Sequence, residues 1–231
     1  VQNLGETGYI ARQSLSYLNN LIINRSINDM SLSHVVFYDG VNDVAHRCRS
    51  EIKGLGTGRE TQIRKKLSKA RSEIYSFSTT FDQLQQLISS VTRKFFVERK
   101  TDVYDTYDCS SNSERAHEVA KTLVDTWQVT SNLVEHYGGK FTAILQPVSF
   151  IGSPDIDYMR DDAIFLVNDF TLAAQYHAVY PIIKQIAEKR NIEFIDLTHI
   201  YDECNNCYVD FCHVGPQAHQ ILATYLIENL L

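Results

Sequence analysis

The sequence predicts an α/β fold, a three-layer, doubly wound parallel sheet with a helical insertion. Three observations support this prediction. Segments with the pattern of buried strands alternate along the chain with amphipathic helical segments. The segment at 34–38 is β-branched or aromatic at both odd and even positions, which is typical of a parallel strand covered on both faces. The composition, 231 residues with 44% hydrophobic and 22% charged side chains, suffices for one well-packed domain.

Each element has its own signal in the chain. Residues 1–8 (VQNLGETG) are predicted to form a strand that ends in a glycine-containing turn, and residues 10–24 a helix with one apolar stripe. The remaining elements are a strand at 34–38, a helix at 115–137, a strand at 140–148, a long helical region at 160–190, a strand at 192–197 and a closing helix at 215–230. Strands separated by helices predict parallel neighbours joined by right-handed crossovers.

Residues 46–110 exceed what one βαβ crossover needs, so we expect a helical insertion or lid within a single domain of residues 1–231. Three glycines near its start lack the spacing of a phosphate-binding loop, which favours a hinge. Residues 59–99 have the pattern of one or two helices with basic residues clustered at the front. That basic face is either a solvated surface or a cap that gathers an anionic substrate or partner.

The charge of the chain argues against a nucleic-acid partner, and its hydropathy argues against a membrane-spanning segment. The formal net charge is -6 and the isoelectric point is near 5.7, so we expect no nucleic-acid partner. The sequence contains no apolar run of transmembrane length, and any targeting signal would have to precede Val1.

The five cysteines are an odd number, so at least one is free unless it pairs between chains. Cys204, Cys207 and Cys212, with His213 beside them, suggest a zinc site, but the chain has no second Cys-x-x-Cys. Reduced thiols, or a local disulfide in an exported protein, are the preferred alternatives. We therefore predict no metal and no cofactor.

Polar residues follow two predicted strands at the positions where α/β sheets hold ligands. The strand at 34–38 runs into Gly40, Asn42 and Asp43, and the first strand runs into Asn3-Leu4-Gly5-Glu6-Thr7-Gly8. The carboxyl ends of parallel strands meet at one edge of a sheet, where glycine allows backbone N–H groups to approach a ligand. A plain βα turn is the alternative for the residues after the second strand, because Asp, Gly and Asn dominate turns.

Asp210 and His213 stand three residues apart, just before a proline that is well suited to the first turn of a helix. An Asp in this position can accept the Nδ1 proton of the imidazole and leave Nε2 as a general base. Together with the two strand ends, this pair describes an oxyanion hole beside a general base.

These three motifs, in this order, resemble the SGNH (GDSL-like) hydrolase superfamily, over nearly the whole chain apart from the insertion. The resemblance implies a flavodoxin-like sheet and assigns Gly8 and Asn42 to the oxyanion hole, His213 as general base and Asp210 as its orienting partner. Gly40 and Asp43 are then expected to line the site. The segment LQPVSF at 145–150 is similar to sugar-ester branches of the superfamily, which implies a short acyl ester such as an O-acetyl carbohydrate as substrate.

The sequence departs from the family pattern at the nucleophile. The family's serine lies at the end of a strand that precedes the Asn-x-Gly-x-x-Gly block, and this chain has no such serine block. We expect the nucleophile upstream of Val1, with Ser153 as a weaker internal candidate. A carbohydrate- or acyl-binding module without catalysis, and an O-acyltransferase, are the alternatives to hydrolysis.

Overall fold

The computed structural model describes residues 2–6, 8–24, 32–49, 107–159 and 163–230, with 163–170 described as backbone only. The chain divides into two compact units, Val1–Arg49 with Tyr107–Leu231, and Ser50–Thr106. All described residues belong to the first unit. Most of the predicted insertion, including the helices expected at 59–99, therefore lies outside the described residues.

The described part contains five α-helices and three strands. In chain order these are α1 (Ala11–Ile23), β1 (His34–Asp39), α2 (Val41–Arg47), α3 (Ser113–His136), β2 (Lys140–Leu145), a 3-10 helix (Asp157–Met159), α4 (Ala163–Lys189), β3 (Phe194–Asp196) and α5 (Pro216–Leu230). The predicted helices at 10–24, 115–137, 160–190 and 215–230 and the strand at 34–38 are confirmed to within a few residues. The strands at 140–148 and 192–197 are also present, although both are shorter than predicted.

The three strands form a parallel sheet in the order β1-β2-β3. Val35 pairs with Phe141 and Tyr38 with Ile144, and Ile144 in turn pairs with Ile195. The described unit is therefore an α/β fold with a parallel sheet flanked by helices. β2 ends at Leu145, and the N–H of the next residue, Gln146, still donates to the carbonyl of Asp39 at the end of β1 at 2.9 Å.

The predicted strand at 1–8 is wrong for the residues that can be described. Residues 2–6 adopt no regular secondary structure. A strand is held by backbone hydrogen bonds to a neighbouring strand, and the described sheet ends at β1 without reaching this segment. The apolar pattern alone therefore did not produce a strand.

The core lies between β2, α3 and α4, and large aromatic side chains fill it. Trp127, Tyr176 and Tyr180 are almost completely buried, and the Trp127 ring stacks on Phe194 of β3. Trp127 also donates its indole N–H to Asp39 at 3.2 Å, which joins α3 to the end of β1. None of the described helices has the length and apolar character needed to cross a membrane.

A disulfide between Cys48 and Cys109 joins the two chain segments that flank residues 50–106. Arg49 and Tyr107 form an antiparallel bridge beside it, and the side chain of Arg115 donates hydrogen bonds to the carbonyls of Arg47 and Arg49. This disulfide was not predicted from the sequence. Its only sequence signal is one cysteine at each end of the predicted insertion.

Candidate functional site

Gly40 makes the turn that places Asn42 at the carboxyl end of β1. Its φ of +122° is a conformation that side chains with a Cβ rarely adopt, and a Cβ there would lie 2.8 Å from Leu145 Cδ1. The next residue, Val41, donates its N–H to Gln146 Oε1 at 3.2 Å. Asn42 therefore lies in the first turn of α2, directly after the strand, at the edge of the sheet where α/β proteins hold ligands.

Two side chains at the start of α2 hold the segment that contains Gly8. Asn42 Nδ2 donates to the carbonyl of Tyr9 at 3.0 Å, and Asp43 Oδ2 accepts from the N–H of Ala11 at 3.1 Å. Gly8 itself has a φ of +74°, and among the described residues its N–H has no acceptor. The structure thus brings Gly8 and Asn42 to neighbouring positions. An amide has two N–H donors, so Asn42 keeps one for a ligand.

Gly40 and Asp43, which were expected to line the site, are buried and support it from beneath. Asp43 is only 2% exposed, because its carboxylate caps the first turn of α1. Burial raises the pKa of Asp43 to about 6, against the opposing effects of the Ala11 N–H and Arg47. The pKa of Asp39 is raised well above its usual value, mainly by burial and to a smaller extent by the nearby Asp43.

Asp210 and His213 lie on a short hairpin that the sequence only suggested as a loop. Tyr208 and Val214 form an antiparallel bridge, and Val209 N–H donates to the His213 carbonyl at 2.7 Å. Asp210 Oδ1 accepts from the N–H groups of Cys212 and His213 at 2.9 and 2.8 Å. Its other oxygen, Oδ2, lies 2.6 Å from His213 Nδ1.

This arrangement fixes the charge of Asp210 and the tautomer of His213. Partial burial alone would raise the pKa of Asp210, but the bonds from the Cys212 and His213 N–H groups and the His213 ring together lower it. An ionised Asp210 keeps the proton of neutral imidazole on Nδ1, so Nε2 is the basic nitrogen. The His213 side chain is 73% exposed, and in the described part of the chain Nε2 has no bonding partner.

Packing joins this hairpin to the ends of β1 and β2. Ser149, which follows β2, donates its N–H to the Phe211 carbonyl at 2.9 Å. The Phe211 ring stacks on Phe150 and lies 6.2 Å from the ring of Tyr176. Tyr176 in turn donates its hydroxyl to the Val41 carbonyl at 3.0 Å. A chain of contacts thus runs from the Asp210–His213 hairpin to the residue beside Asn42.

The Cys204–Cys207 disulfide takes two ligands away from the zinc site that the sequence suggested. Cys204 and Cys207 form a disulfide, as in the exported alternative, and Cys212 is the free cysteine among those described. Asp210, Cys212 and His213 keep their possible ligand atoms within 4.8 Å of one another, but a structural zinc site needs four ligands. Burial and the neighbouring Asp210 raise the pKa of the Cys212 thiol, so it is a poor thiolate.

Ser153 stands beside a second His–Asp pair, which the sequence analysis did not identify. His199 Nδ1 lies 2.8 Å from Asp202 Oδ2, and Asp202 Oδ1 accepts the backbone N–H of Ser153 at 2.8 Å. The Ser153 hydroxyl makes no bond to a histidine within the described ranges. The spacing His-x-x-Asp was visible in the sequence, in the reverse order of Asp210 and His213.

A groove of about 740 Å³ runs along β1 and reaches Asn42. All six residues of β1 line it, together with residues 2–6 and side chains of α1 that include Tyr17, Leu18 and Leu21. The groove therefore lies beside β1, an edge strand of the described sheet, and its lining includes Asn42.

No model of a known protein family matches this chain, and no curated protein matches it.

Proposed function

We propose that this chain is the main part of a serine-dependent ester hydrolase of the SGNH type that acts on a short acyl ester. The observation that carries the proposal is the Asp210–His213 hairpin. Its 2.6 Å contact to Nδ1 fixes the imidazole and leaves Nε2 as an exposed base. In this proposal the described sheet is part of a three-layer, doubly wound domain.

The described residues take distinct roles in the reaction. His213 Nε2 accepts the proton of a serine hydroxyl as its oxygen attacks the acyl carbonyl. The Gly8 N–H and the remaining Asn42 N–H donate hydrogen bonds to the oxyanion of the tetrahedral intermediate. His213 then gives the proton to the leaving alcohol, and a water molecule, deprotonated in the same way, releases the acid. Asp210 stays ionised and holds the ring throughout.

The nucleophile is proposed to lie on a segment that precedes Val1. Ser153 is the weaker alternative, because the structure shows only its backbone engaged with the His199–Asp202 pair. In either case the serine must come within hydrogen-bond reach of His213 Nε2.

The proposed substrate is an O-acetyl or similar short acyl ester of a carbohydrate. LQPVSF supports this choice through its resemblance to sugar-ester hydrolases, and an exposed general base suits a substrate that is itself large. The two disulfides, Cys48–Cys109 and Cys204–Cys207, favour an oxidising compartment such as the outside of a cell.

Replacing His213 tests the proposal, and His199 provides a matched control. Both histidines are exposed and contact an Asp three residues away through Nδ1. In the chain with its native upstream residues, His213→Ala should lower kcat/KM for a p-nitrophenyl acetate substrate at least about 1000-fold. His199→Ala should leave it within about twofold. Equal losses in both variants would contradict the proposal, and ester formation with an added alcohol would indicate transfer.

A further inference from the structure

Tyr158 presents an exposed aromatic ring that is held at both ends. It lies in the 3-10 helix Asp157–Met159, in the segment that follows β2, and it is 44% exposed. The next residue, Met159, is buried in the core and anchors the backbone of this helix. At the other end of the side chain, the Tyr158 hydroxyl donates to the carbonyl of Tyr208. The ring is therefore fixed, and because its hydroxyl is engaged within the protein, a ligand would meet mainly the ring.

One peptide group joins Tyr158 to the hairpin that carries the candidate general base. The carbonyl of this group, from Tyr208, accepts the Tyr158 hydroxyl, and its N–H, from Val209, donates to the His213 carbonyl at 2.7 Å. A peptide group is planar and rigid, so its two bonding partners keep a fixed separation. The Val209 side chain, which is 69% exposed, extends the apolar surface along the hairpin. A ligand on the Tyr158 ring and a group bound at His213 would therefore be close neighbours.

An acidic side chain borders the Tyr158 ring. Burial raises the pKa of Tyr158 against the opposing effect of its bond to Tyr208, and the nearby charge of Asp155 raises this pKa further. The phenol therefore stays neutral and keeps donating to Tyr208. Asp155 is exposed, so its carboxylate can accept hydrogen bonds from a ligand. A negative ring face beside a carboxylate attracts the C–H and O–H groups of a neutral ligand and repels an anion.

We propose that the Tyr158 ring and Asp155 form a subsite for a neutral sugar ring, next to the sugar that carries the acyl ester. The Tyr158 ring stacks on the C–H face of the sugar, and Asp155 accepts a hydrogen bond from one of its hydroxyls. Because the Tyr158 ring is already fixed, it loses little conformational entropy when the sugar binds. This inference rests on the proposed function and makes its substrate more specific: a neutral carbohydrate chain rather than a polymer of uronic acids.

Sugar binding tests the subsite without turnover. The probes are the neutral tetrasaccharides of glucose, xylose and mannose, each titrated into the 231-residue chain in a calorimeter. At least one of them should bind, and Tyr158→Ala should weaken this binding at least about fivefold. Tyr158→Phe keeps the ring and loses only the bond to Tyr208, so its affinity should stay within about twofold of the original.

Tyr137 provides a matched control for the loss of an exposed aromatic ring. It is 51% exposed, but it follows α3 and precedes β2, so it lies at the amino end of the sheet, away from the hairpin. Tyr137→Ala should leave the affinity for the tetrasaccharide unchanged.

The ester reaction provides a second readout, which is a ratio of two substrates. In Tyr158→Ala, kcat/KM for an acetylated form of the bound tetrasaccharide should fall at least about fivefold relative to kcat/KM for p-nitrophenyl acetate, which has no sugar ring. If the chain binds the tetrasaccharide through Tyr158 but cleaves no ester, the proposed hydrolase is wrong and the sugar subsite stands.

Four results would overturn the inference. The first is that none of the three neutral tetrasaccharides binds. The second is equal affinity in the original chain and in Tyr158→Ala. The third is an equal loss in Tyr158→Phe and Tyr158→Ala, which would assign the effect to the hydrogen bond that holds the hairpin. The fourth is tighter binding of the tetrasaccharide of galacturonic acid, an anion, than of the neutral probes.

Discussion

At the scale of single residues, Gly40 is the residue on which the position of Asn42 depends. Its φ of +122° and the 2.8 Å approach of Leu145 both act against any side chain. Gly138 provides a control, because its φ is also positive, at +77°, but a Cβ there would meet no atom within 4 Å. Gly138 is therefore a positive-φ glycine at which crowding plays no part.

We expect Gly40→Ala to lower the free energy of unfolding by about 3 kcal/mol, from backbone strain and overpacking together. Gly138→Ala should cost about 1 kcal/mol, because only the backbone conformation opposes it. Urea unfolding measures both values. Equal costs would show that crowding by Leu145 contributes nothing.

The buried pair of Asp39 and Asp43 makes stability depend on pH. Burial raises the pKa of both carboxyls above the unfolded value, Asp43 to about 6. The folded state therefore holds protons that the unfolded state releases. The stabilising contribution of protonated Asp43 is complete below about pH 4 and is lost as the pH rises through about 6.

Asp39→Asn should accordingly raise the free energy of unfolding at about pH 7.5 by about 1–3 kcal/mol, and by less at about pH 4.5. The asparagine oxygen can still accept the Trp127 N–H, and an amide, unlike the carboxyl of Asp39, needs no proton to be neutral when it is buried beside Asp43. Urea unfolding at the two pH values measures the difference.

Asp125→Asn is the control of opposite sign. The pKa of Asp125 is lowered, because its bonds to Lys121 and Arg190 outweigh the effect of partial burial. Its stabilising contribution is present above the unfolded pKa and is lost in acid, so this variant should be slightly less stable near neutral pH. A stabilising effect of both substitutions would contradict the assignment of a buried, repelling pair.

At the scale of elements, hydrophobic patterning predicted most helices and strands, because their apolar stripes face a core that covers them. Residues 2–6 were predicted wrongly because the pattern does not state whether a partner strand is present. For the same reason, the sequence predicted some residues of the candidate site and missed others. Asp210 and His213 were found by spacing, whereas Tyr176, Gln146 and the His199–Asp202 pair depend on contacts between distant elements.

The disulfides differ in the length of chain that each one closes. Cys48 and Cys109 are 61 residues apart in sequence, whereas Cys204 and Cys207 are 3 apart. From loop entropy, Cys48→Ala with Cys109→Ala should lower the free energy of unfolding by about 4 kcal/mol, and Cys204→Ala with Cys207→Ala by about 2 kcal/mol. Urea unfolding of both double variants shows which of the two losses in the free energy of unfolding is larger. The reverse order would show that contacts of the cysteines, rather than chain entropy, dominate.

At the scale of the whole molecule, the groove and the candidate site share the carboxyl end of the sheet. The groove reaches Asn42, and the contacts through Phe211 and Tyr176 bring the His213 hairpin to the same end.

The most direct test of this account is the intact mass after treatment with a fluorophosphonate that labels activated serines. The account predicts one adduct on the chain with its native upstream residues, none on the 231-residue chain, and labelling at least about 100-fold slower in the longer chain with His213→Ala. A single adduct on the 231-residue chain, mapped to Ser153 or another internal serine, would contradict the upstream nucleophile. If the longer chain gains no adduct, or gains it equally fast without His213, the account of a serine hydrolase is wrong.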